Sequence, residues 1–263
     1  MSTPLEAHLR SVRSDGHKIL VPYITGCYPN WLPAIHTAVA NGANAIEVGI
    51  PFSDPVMDGP IIQRASSEAL RAGANLHAIL EGVRSLDVQV PIVVMCYYNS
   101  VFRTGHERFA NLLASAGVSG AIVPDLPLEE ATEWCQTADA AGIATVMLAA
   151  PTAPDDRLPR ITQRARGFVY AVGLLGVTGE RSELSASATT IARRVKAVTD
   201  LPVLVGVGVS DAQQAREACA IADGVIQGAS IMRRLMDDGV DEVGRYVAEV
   251  RRAIDQVAVS PTN

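Results

Sequence analysis

The stretch LPVLVGVGVSDAQQAREACAIADGVIQGAS, residues 201–230, contains the pattern that decides the fold. Two short apolar runs, at 202–206 and 224–227, lie on either side of an alanine-rich segment at 211–220 that favours a helix. Both runs are apolar almost throughout, which is typical of strands buried on both faces of a parallel sheet. The stretch therefore predicts a unit of strand, helix and strand.

Six more runs of this kind precede it, and their number predicts a closed barrel. They lie at 19–24, 45–49, 92–97, 120–123, 144–148 and 167–171. Helical segments separate the runs, as at 31–41, 109–116 and 128–141. Eight strand–helix units within 263 residues predict an α/β fold, a (β/α)8 TIM barrel that forms one domain over residues 1–263. The alternative, an open doubly wound sheet, would need fewer strands or a topological switch, and no G-x-G-x-x-G motif follows the first strand.

Both ends of the chain are expected to be helical. The first 16 residues form an amphipathic pattern that predicts an extra N-terminal helix before the first strand. Residues 241–257 carry apolar side chains at helical spacing and predict a closing helix. The apolar run that follows the charged beginning, at 19–24, is shorter than the apolar region of roughly 7–15 residues in a signal peptide, so this beginning does not resemble one.

Composition and charge exclude several classes of function. The formal net charge of -6 argues against a nucleic-acid partner, because binding to phosphate backbones requires a basic face. No stretch of roughly 18 apolar residues is present, so no membrane association is expected. The four cysteines form no C-x-x-C pair, so reduced thiols and a cytoplasmic location are expected.

Two connections are longer than the rest, and both follow predicted strands. One is GIPFSDPVMDGP at 49–60, after the second strand, and the other is VGLLGVTGERSELSAS at 172–187, after the sixth. Barrel enzymes build their active sites from the loops at the C-terminal ends of the strands. These two loops are therefore interpreted as lids over a substrate, although ordinary variation in loop length would also produce them.

Two carboxylates near the second strand are the candidates for acid–base chemistry. Glu47 lies inside an otherwise apolar strand, where burying a carboxylate is costly unless it has a function or a structural partner. Apolar surroundings would raise its pKa and suit it to general acid–base catalysis. Asp58 precedes Gly59 and could be a turn residue, but its loop can bring it to the same mouth. Two carboxylates in different environments can divide the acid and base roles.

Glycines after the last two strands predict a phosphate site. Gly206-Val207-Gly208 follows the seventh strand, and Gln227-Gly228-Ala229-Ser230 follows the eighth and begins a short helix. The loops after strands seven and eight, with the N-terminus of an extra helix, are the common phosphate site of this fold. Plain turn glycines are the alternative interpretation.

Several types of residue are missing from the positions that other mechanisms would need. The only lysines are Lys18, before the first strand, and Lys196, in a helix, which argues against a Schiff-base aldolase. The five histidines have no metal-ligand spacing, so no metal is expected. Tyr170 ends the sixth strand and either points at the mouth or packs in the wall. Carboxylate acid–base chemistry and positioning are left as the expected mechanism.

A longer motif identifies a family. Residues 46–60, IEVGIPFSDPVMDGP, resemble the signature of the tryptophan synthase alpha chain. Further matches are VPYIT at 21–25, YYN at 97–99, PDLP at 124–127 and GVTG at 176–179, so the resemblance extends over essentially the whole chain.

The resemblance implies a reaction, cleavage of indole-3-glycerol phosphate to indole and glyceraldehyde 3-phosphate. It implies that Glu47 protonates the indole carbon that loses its substituent and takes the proton of the glycerol hydroxyl. It implies that Asp58 holds the indole N–H and stabilises positive charge on the ring. Further substrate contacts are implied for a set of residues along the chain: Tyr23, Tyr170, Thr178, Gly179, Gly208, Gly228 and Ala229.

The resemblance also implies a partner. Indole would pass to a beta chain that carries pyridoxal phosphate, in an α2β2 tetramer, while this chain itself holds no cofactor. Asp54, Pro55 and Met57 have no evident role in the pocket, so they are expected at the partner interface. We also predict that residues 51–60 and 173–187 form a coupled lid that the beta chain helps to close, in which the Thr178 hydroxyl hydrogen-bonds Asp58. Ala229 departs from the family pattern, because it stands where a serine hydroxyl is common.

Three other functions remain open from the residues. One is another phosphate-binding barrel, such as an isomerase or a ring-closing synthase, although the synthase would require a lysine in the barrel. Another is a stand-alone lyase that releases free indole. A third is an idle barrel that acts as an interaction subunit, against which the presence of Glu47 and Asp58 argues.

Overall fold

The eight predicted strands form the wall of a closed barrel. The computed structural model describes residues 3–173, 186–206 and 208–257. The strands pair in parallel in chain order, and the last one pairs with the first. They are β1 (Ile19–Thr25), β2 (Ile46–Gly49), β3 (Ile92–Met95), β4 (Val118–Ile122), β5 (Ala144–Ala149), β6 (Val169–Ala171), β7 (Val203–Val205) and β8 (Gly224–Gln227). The predicted (β/α)8 TIM barrel is confirmed, with strand ends that differ by up to a few residues.

Twelve helices lie in the described ranges. They are α1 (Pro4–Ser14), α2 (Trp31–Ala40), α3 (Pro60–Arg71), α4 (Leu76–Arg84), α5 (Tyr98–Thr104), α6 (His106–Ser115), α7 (Thr132–Ala140), α8 (Arg157–Arg164), α9 (Ala186–Lys196), α10 (Ala212–Cys219), α11 (Ala229–Asp237) and α12 (Val240–Asp255). None of these helices is long and apolar enough to cross a membrane. The helices α2, α6 and α7 are each followed within two residues by a glycine with φ between +75° and +101°, a conformation that stops a helix.

Helix α7 begins later than the sequence pattern indicates. The pattern predicts a helix over 128–141, whereas α7 spans Thr132–Ala140. Residues 127–131 form turns instead, in which the N–H of Glu130 bonds the carbonyl of Pro127 and the N–H of Ala131 bonds that of Leu128. Leu128 packs against the core, so its apolar side chain matches the helical spacing without being helical.

The N-terminal helix closes the bottom of the barrel. Thr3 caps α1 by accepting the N–H of Glu6 at 3.2 Å. Leu5 and Leu9 are fully buried and belong to the apolar cluster inside the barrel. A Cβ atom at Gly120 would lie 2.9 Å from the Leu5 side chain, so glycine in the wall makes room for the helix. The predicted extra helix therefore fills the N-terminal end of the barrel.

The closing helix packs on the outside of the barrel. The predicted segment 241–257 corresponds to α12, which packs against α2 and α10. Its apolar stripe is fully buried at Val243, Val247, Val250 and Ile254. With α1 filling one end, the C-terminal ends of the strands are the end at which a site can form.

Candidate active site

Glu47 points into the barrel. Its neighbours Ile46 and Val48 belong to the core outside the barrel wall, whereas Ala45 belongs to the cluster inside it. Because side chains alternate along a strand, Glu47 shares the inner face with Ala45. Glu47 is also the register partner of Tyr23 in β1. The sequence left open whether Glu47 faces the interior or the helices, and the structure shows that it faces the interior.

The Glu47 carboxyl group is almost completely buried. The residue is 1% exposed, and its Oε2 atom has no hydrogen-bond partner in the described part of the chain. Burial raises the pKa of Glu47 to about 8, and the nearby charge of Asp58 adds to the shift. At neutral pH the group therefore carries a proton, which an acid catalyst must have ready.

Asp58 reaches the same mouth from the loop after β2. Its N–H donates to the carbonyl of Pro55 at 3.0 Å, and its own carbonyl accepts from the Gln63 side chain at 2.8 Å. Burial raises the pKa of Asp58 to about 6, while a hydrogen bond from Tyr97 acts in the opposite direction. At neutral pH these values leave Asp58 mostly ionised and Glu47 mostly protonated.

Tyr97 holds the Asp58 loop in place, although it was not among the predicted site residues. The Tyr97 hydroxyl donates to Asp58 Oδ2 at 3.1 Å and accepts the N–H of Met57 at 2.9 Å. Its ring stacks on Phe52, with 5.0 Å between the ring centroids. The signal that could have identified it is the YYN motif at 97–99, which begins at the C-terminal end of the third apolar run.

Two tyrosines complete the inner wall around Glu47. Tyr170 packs against the apolar cluster inside the barrel, and Tyr23 shares the inner face of β1 with Val21, which belongs to that cluster. The pKa of each tyrosine is raised by burial and by the charges of Glu47 and Asp58. Glycines opposite the rings make room for them. A Cβ atom at Gly49 would lie 1.9 Å from the Tyr23 hydroxyl, and one at Gly206 would lie 2.0 Å from that of Tyr170. Of the two positions left open for Tyr170, the structure thus shows the one facing the mouth.

The glycines predicted to bind phosphate lie at the ends of β7 and β8, but they differ in conformation. Gly208 has φ +85° and has open space where a side chain would be. Gly228 precedes α11 as its N-cap residue, without a side-chain cap, and Ala229 is the first residue of that helix. The first N–H groups of a helix have no acceptor within the helix and can bind an anion. Gly206 has a different role, because it accommodates Tyr170.

The residues predicted at the partner interface lie in the same loop as Asp58. Asp54 is exposed, and Pro55 and Met57 are half-buried. Between them Val56 is 79% exposed, which is unusual for a large apolar side chain. The predicted contacts Thr178 and Gly179, and with them most of the second predicted lid, lie outside the described residues.

Comparison with known proteins identifies relatives of the whole chain. A family model for the tryptophan synthase alpha chain matches residues 9–258. The tryptophan synthase alpha chain of Streptomyces coelicolor is 44% identical over 90% of this chain and 89% of its own length. That of Synechococcus elongatus is 40% identical over 95% of this chain and 96% of its own length.

Solved structures share the fold over nearly the whole chain. A chain of tryptophan synthase from Mycobacterium tuberculosis superposes with a TM-score of 0.89 at 36% identity, covering 97% of this chain and 99% of that one. Tryptophan synthase subunit alpha from Legionella pneumophila superposes with a TM-score of 0.88 at 30% identity, covering 98% of this chain and 100% of that one. This chain therefore belongs to the tryptophan synthase alpha chain family, lyases whose reaction is the cleavage of indole-3-glycerol phosphate to indole and glyceraldehyde 3-phosphate.

Proposed function

We propose that Glu47 and Asp58 carry out this cleavage at the mouth of the barrel. The observation that supports the proposal is the pairing of two nearby carboxyl groups in different environments. Glu47 is buried with a pKa of about 8, whereas Asp58 is half-buried with a pKa of about 6. At neutral pH one group can give a proton while the other stays negative.

Glu47 acts first as an acid and then as a base. Its proton goes to the indole ring carbon that bears the glycerol phosphate chain. The resulting carboxylate then takes the proton of the neighbouring glycerol hydroxyl while the carbon–carbon bond breaks. The bonding electrons return to the indole ring, the hydroxyl carbon becomes the aldehyde, and Glu47 regains its proton. The cycle consumes no water and leaves the enzyme as it began.

Asp58 stabilises the intermediate between these two proton transfers. Protonation of the ring carbon places positive charge on the indole nitrogen, and an ionised carboxylate beside its N–H lowers the energy of that state. The Tyr97 hydroxyl supports this role because it donates to Asp58 Oδ2 and favours the ionised form. Tyr23 and Tyr170 enclose the reacting carbons.

Backbone N–H groups hold the substrate phosphate. Gly208 offers an open backbone after β7, and Gly228 and Ala229 present the first turn of α11. Ala229 contributes its N–H although it lacks the hydroxyl common in the family. Thr178 and Gly179 are proposed as further contacts on the basis of the sequence motif alone.

A beta chain covers the mouth and receives the indole. The Mycobacterium tuberculosis relatives are structures of tryptophan synthase, and one of them is an aminoacrylate-bound form. The loop residues Asp54, Pro55 and Met57, together with exposed Val56, are the contacts we propose. The assembly would be an α2β2 tetramer in which the beta chain carries pyridoxal phosphate and this chain carries no cofactor.

The test is turnover of indole-3-glycerol phosphate by the purified chain, with and without its beta chain. The proposal requires equal amounts of indole and glyceraldehyde 3-phosphate from this chain alone, and faster conversion to tryptophan when the beta chain and serine are added. Indole release that the beta chain neither accelerates nor captures would favour a stand-alone lyase. Absence of cleavage in both conditions would refute the assignment.

A further inference from the structure

A buried polar network lies on the outer side of β7 and β8, behind the proposed phosphate site. Its centre is Tyr246 of α12, which is 2% exposed. The side-chain amide of Gln227 donates to the Tyr246 hydroxyl at 2.8 Å. The Tyr246 hydroxyl in turn donates to the carbonyl of Ser210 at 3.1 Å. One hydroxyl group therefore joins two chain segments that are distant in sequence.

The two ends of this network are next to the glycines of the phosphate site. Ser210 lies two residues after Gly208, and Gln227 directly precedes Gly228. Ser210 is held further, because its N–H donates to the side-chain oxygen of Gln214 in α10 at 2.7 Å. The hydrogen bonds of Tyr246 thus set the separation between the loop after β7 and the start of α11.

The ring of Tyr246 is itself fixed in position. The guanidinium carbon of Arg234 lies 3.5 Å from the ring centroid, in cation–π contact. Arg234 also donates to the carbonyl of Ser230 at 2.9 Å, in the first turn of α11. Tyr246 is therefore connected to the helix N-terminus through its ring as well as through its hydroxyl.

We propose that Tyr246 is a positioning residue for phosphate binding. The proposal rests on the function proposed above, because it assumes that the N–H groups near Gly208 and Gly228 bind one phosphate. Donors from two separate segments bind an anion well only if their spacing is held close to the best geometry. The Tyr246 hydroxyl supplies that constraint from outside the barrel, without touching the substrate.

The test is Tyr246→Phe, which removes the hydroxyl and keeps the ring under Arg234. Because the substitution removes the two hydrogen bonds of this hydroxyl, we expect phosphate binding to weaken by about three- to tenfold. We expect KM for indole-3-glycerol phosphate and the inhibition constant for inorganic phosphate to rise by that factor together. The value of kcat should stay within about twofold, and the affinity for indole, which has no phosphate, should not change.

Two further variants separate positioning from general loss of stability. Val250→Ala creates a cavity in the same helix away from the loops, and it should lower the melting temperature without changing KM. Gln227→Met should raise KM like Tyr246→Phe, and the double variant should be less than additive, because both changes break the same link.

Unchanged KM and phosphate inhibition in Tyr246→Phe, alongside an active wild type, would overturn the role of Tyr246. An equal rise of KM in Val250→Ala would overturn it too, since instability alone would then explain the effect. A wild-type chain that cleaves no substrate would count instead against the proposed function.

Discussion

Replacing Glu47 by glutamine removes the titratable proton and leaves the shape of the side chain almost unchanged. Since the proposed cycle uses that proton twice, we expect Glu47→Gln to lower kcat by more than about 10²-fold. Substrate binding should persist, because the phosphate loops and Asp58 are untouched. Indole release and calorimetric binding measure the two effects, with Asp87→Asn at an exposed position before β3 as control. Turnover above a tenth of wild type would contradict the role of Glu47.

The hydroxyl of Tyr97 favours the ionised form of Asp58, so its removal should be visible in the pH profile. In Tyr97→Phe the pKa of Asp58 rises further, and the acid limb of kcat/KM should move to higher pH. Loss of a hydrogen bond to a charged group should also lower kcat/KM by about tenfold near neutral pH.

Tyr98→Phe is the matched control, because the Tyr98 hydroxyl bonds His106 at 3.0 Å instead of Asp58. This variant should keep the wild-type profile. An acid limb that stays in place in Tyr97→Phe would show that Tyr97 does not support Asp58.

Glu47 and Tyr97 also show what the sequence could and could not predict at this scale. A carboxylate within an apolar strand is conspicuous, because its burial requires a reason. Tyr97 continues an apolar run and resembles any other core aromatic residue. Its contact with Asp58 depends on how the loop at 51–60 folds back, and local pattern carries no information about that path.

Glycine at the end of β7 is required by packing between neighbouring strands. In Gly206→Ala the new methyl group would lie 2.0 Å from the Tyr170 hydroxyl, so the ring must move. We expect a loss of about 1–3 kcal/mol in the free energy of unfolding and a reduced kcat. Gly228→Ala is the control for stability, because its added carbon would meet its neighbours at 3.7 Å or more.

A second substitution tests whether the collision with Tyr170 causes the loss of stability in Gly206→Ala. Tyr170→Leu shortens the opposing side chain, so the double variant Gly206→Ala/Tyr170→Leu should be more stable than the sum of the single changes implies. Urea unfolding measures this difference. Simple additivity would mean that Tyr170 is not the residue with which the added methyl group collides.

The secondary-structure elements were largely predictable, since eight apolar runs of similar length have few arrangements other than a barrel. Helix α7 was harder to predict, because the turn before it places Leu128 against the core as a helix would. The different roles of the two glycines after β7 were equally hard to predict. Gly206 and Gly208 look alike in sequence, yet one accommodates a ring and the other has a positive φ.

The whole molecule should lose stability as Glu47 is forced to ionise. The pKa of Glu47 is about 8 in the folded chain, against 4.5 for an exposed glutamate. Between these values the folded state holds a proton that the unfolded state has released. Each unit by which the pH rises within this window therefore lowers the free energy of unfolding by up to about 1.4 kcal/mol.

Glu47→Gln should remove this dependence, because glutamine resembles the protonated acid at every pH. We expect the variant to unfold at higher urea concentration than wild type at pH 8 and to lose that advantage near pH 5. Asp87→Asn, at its exposed position, should follow the wild-type curve. Parallel wild-type and Glu47→Gln curves over the whole range would show that Glu47 is ionised throughout.

The position of helix α1 at the base of the barrel determines from which end molecules can reach the interior. Leu5 and Leu9 fill the N-terminal end of the barrel, so the interior is reached from the opposite end, through the opening beside Asp58. If the cleavage takes place as proposed, the substrate and both products share this opening, and an incoming molecule would compete with a departing one. Under the function proposed above, a beta chain bound at this opening would control which molecules pass and in what order.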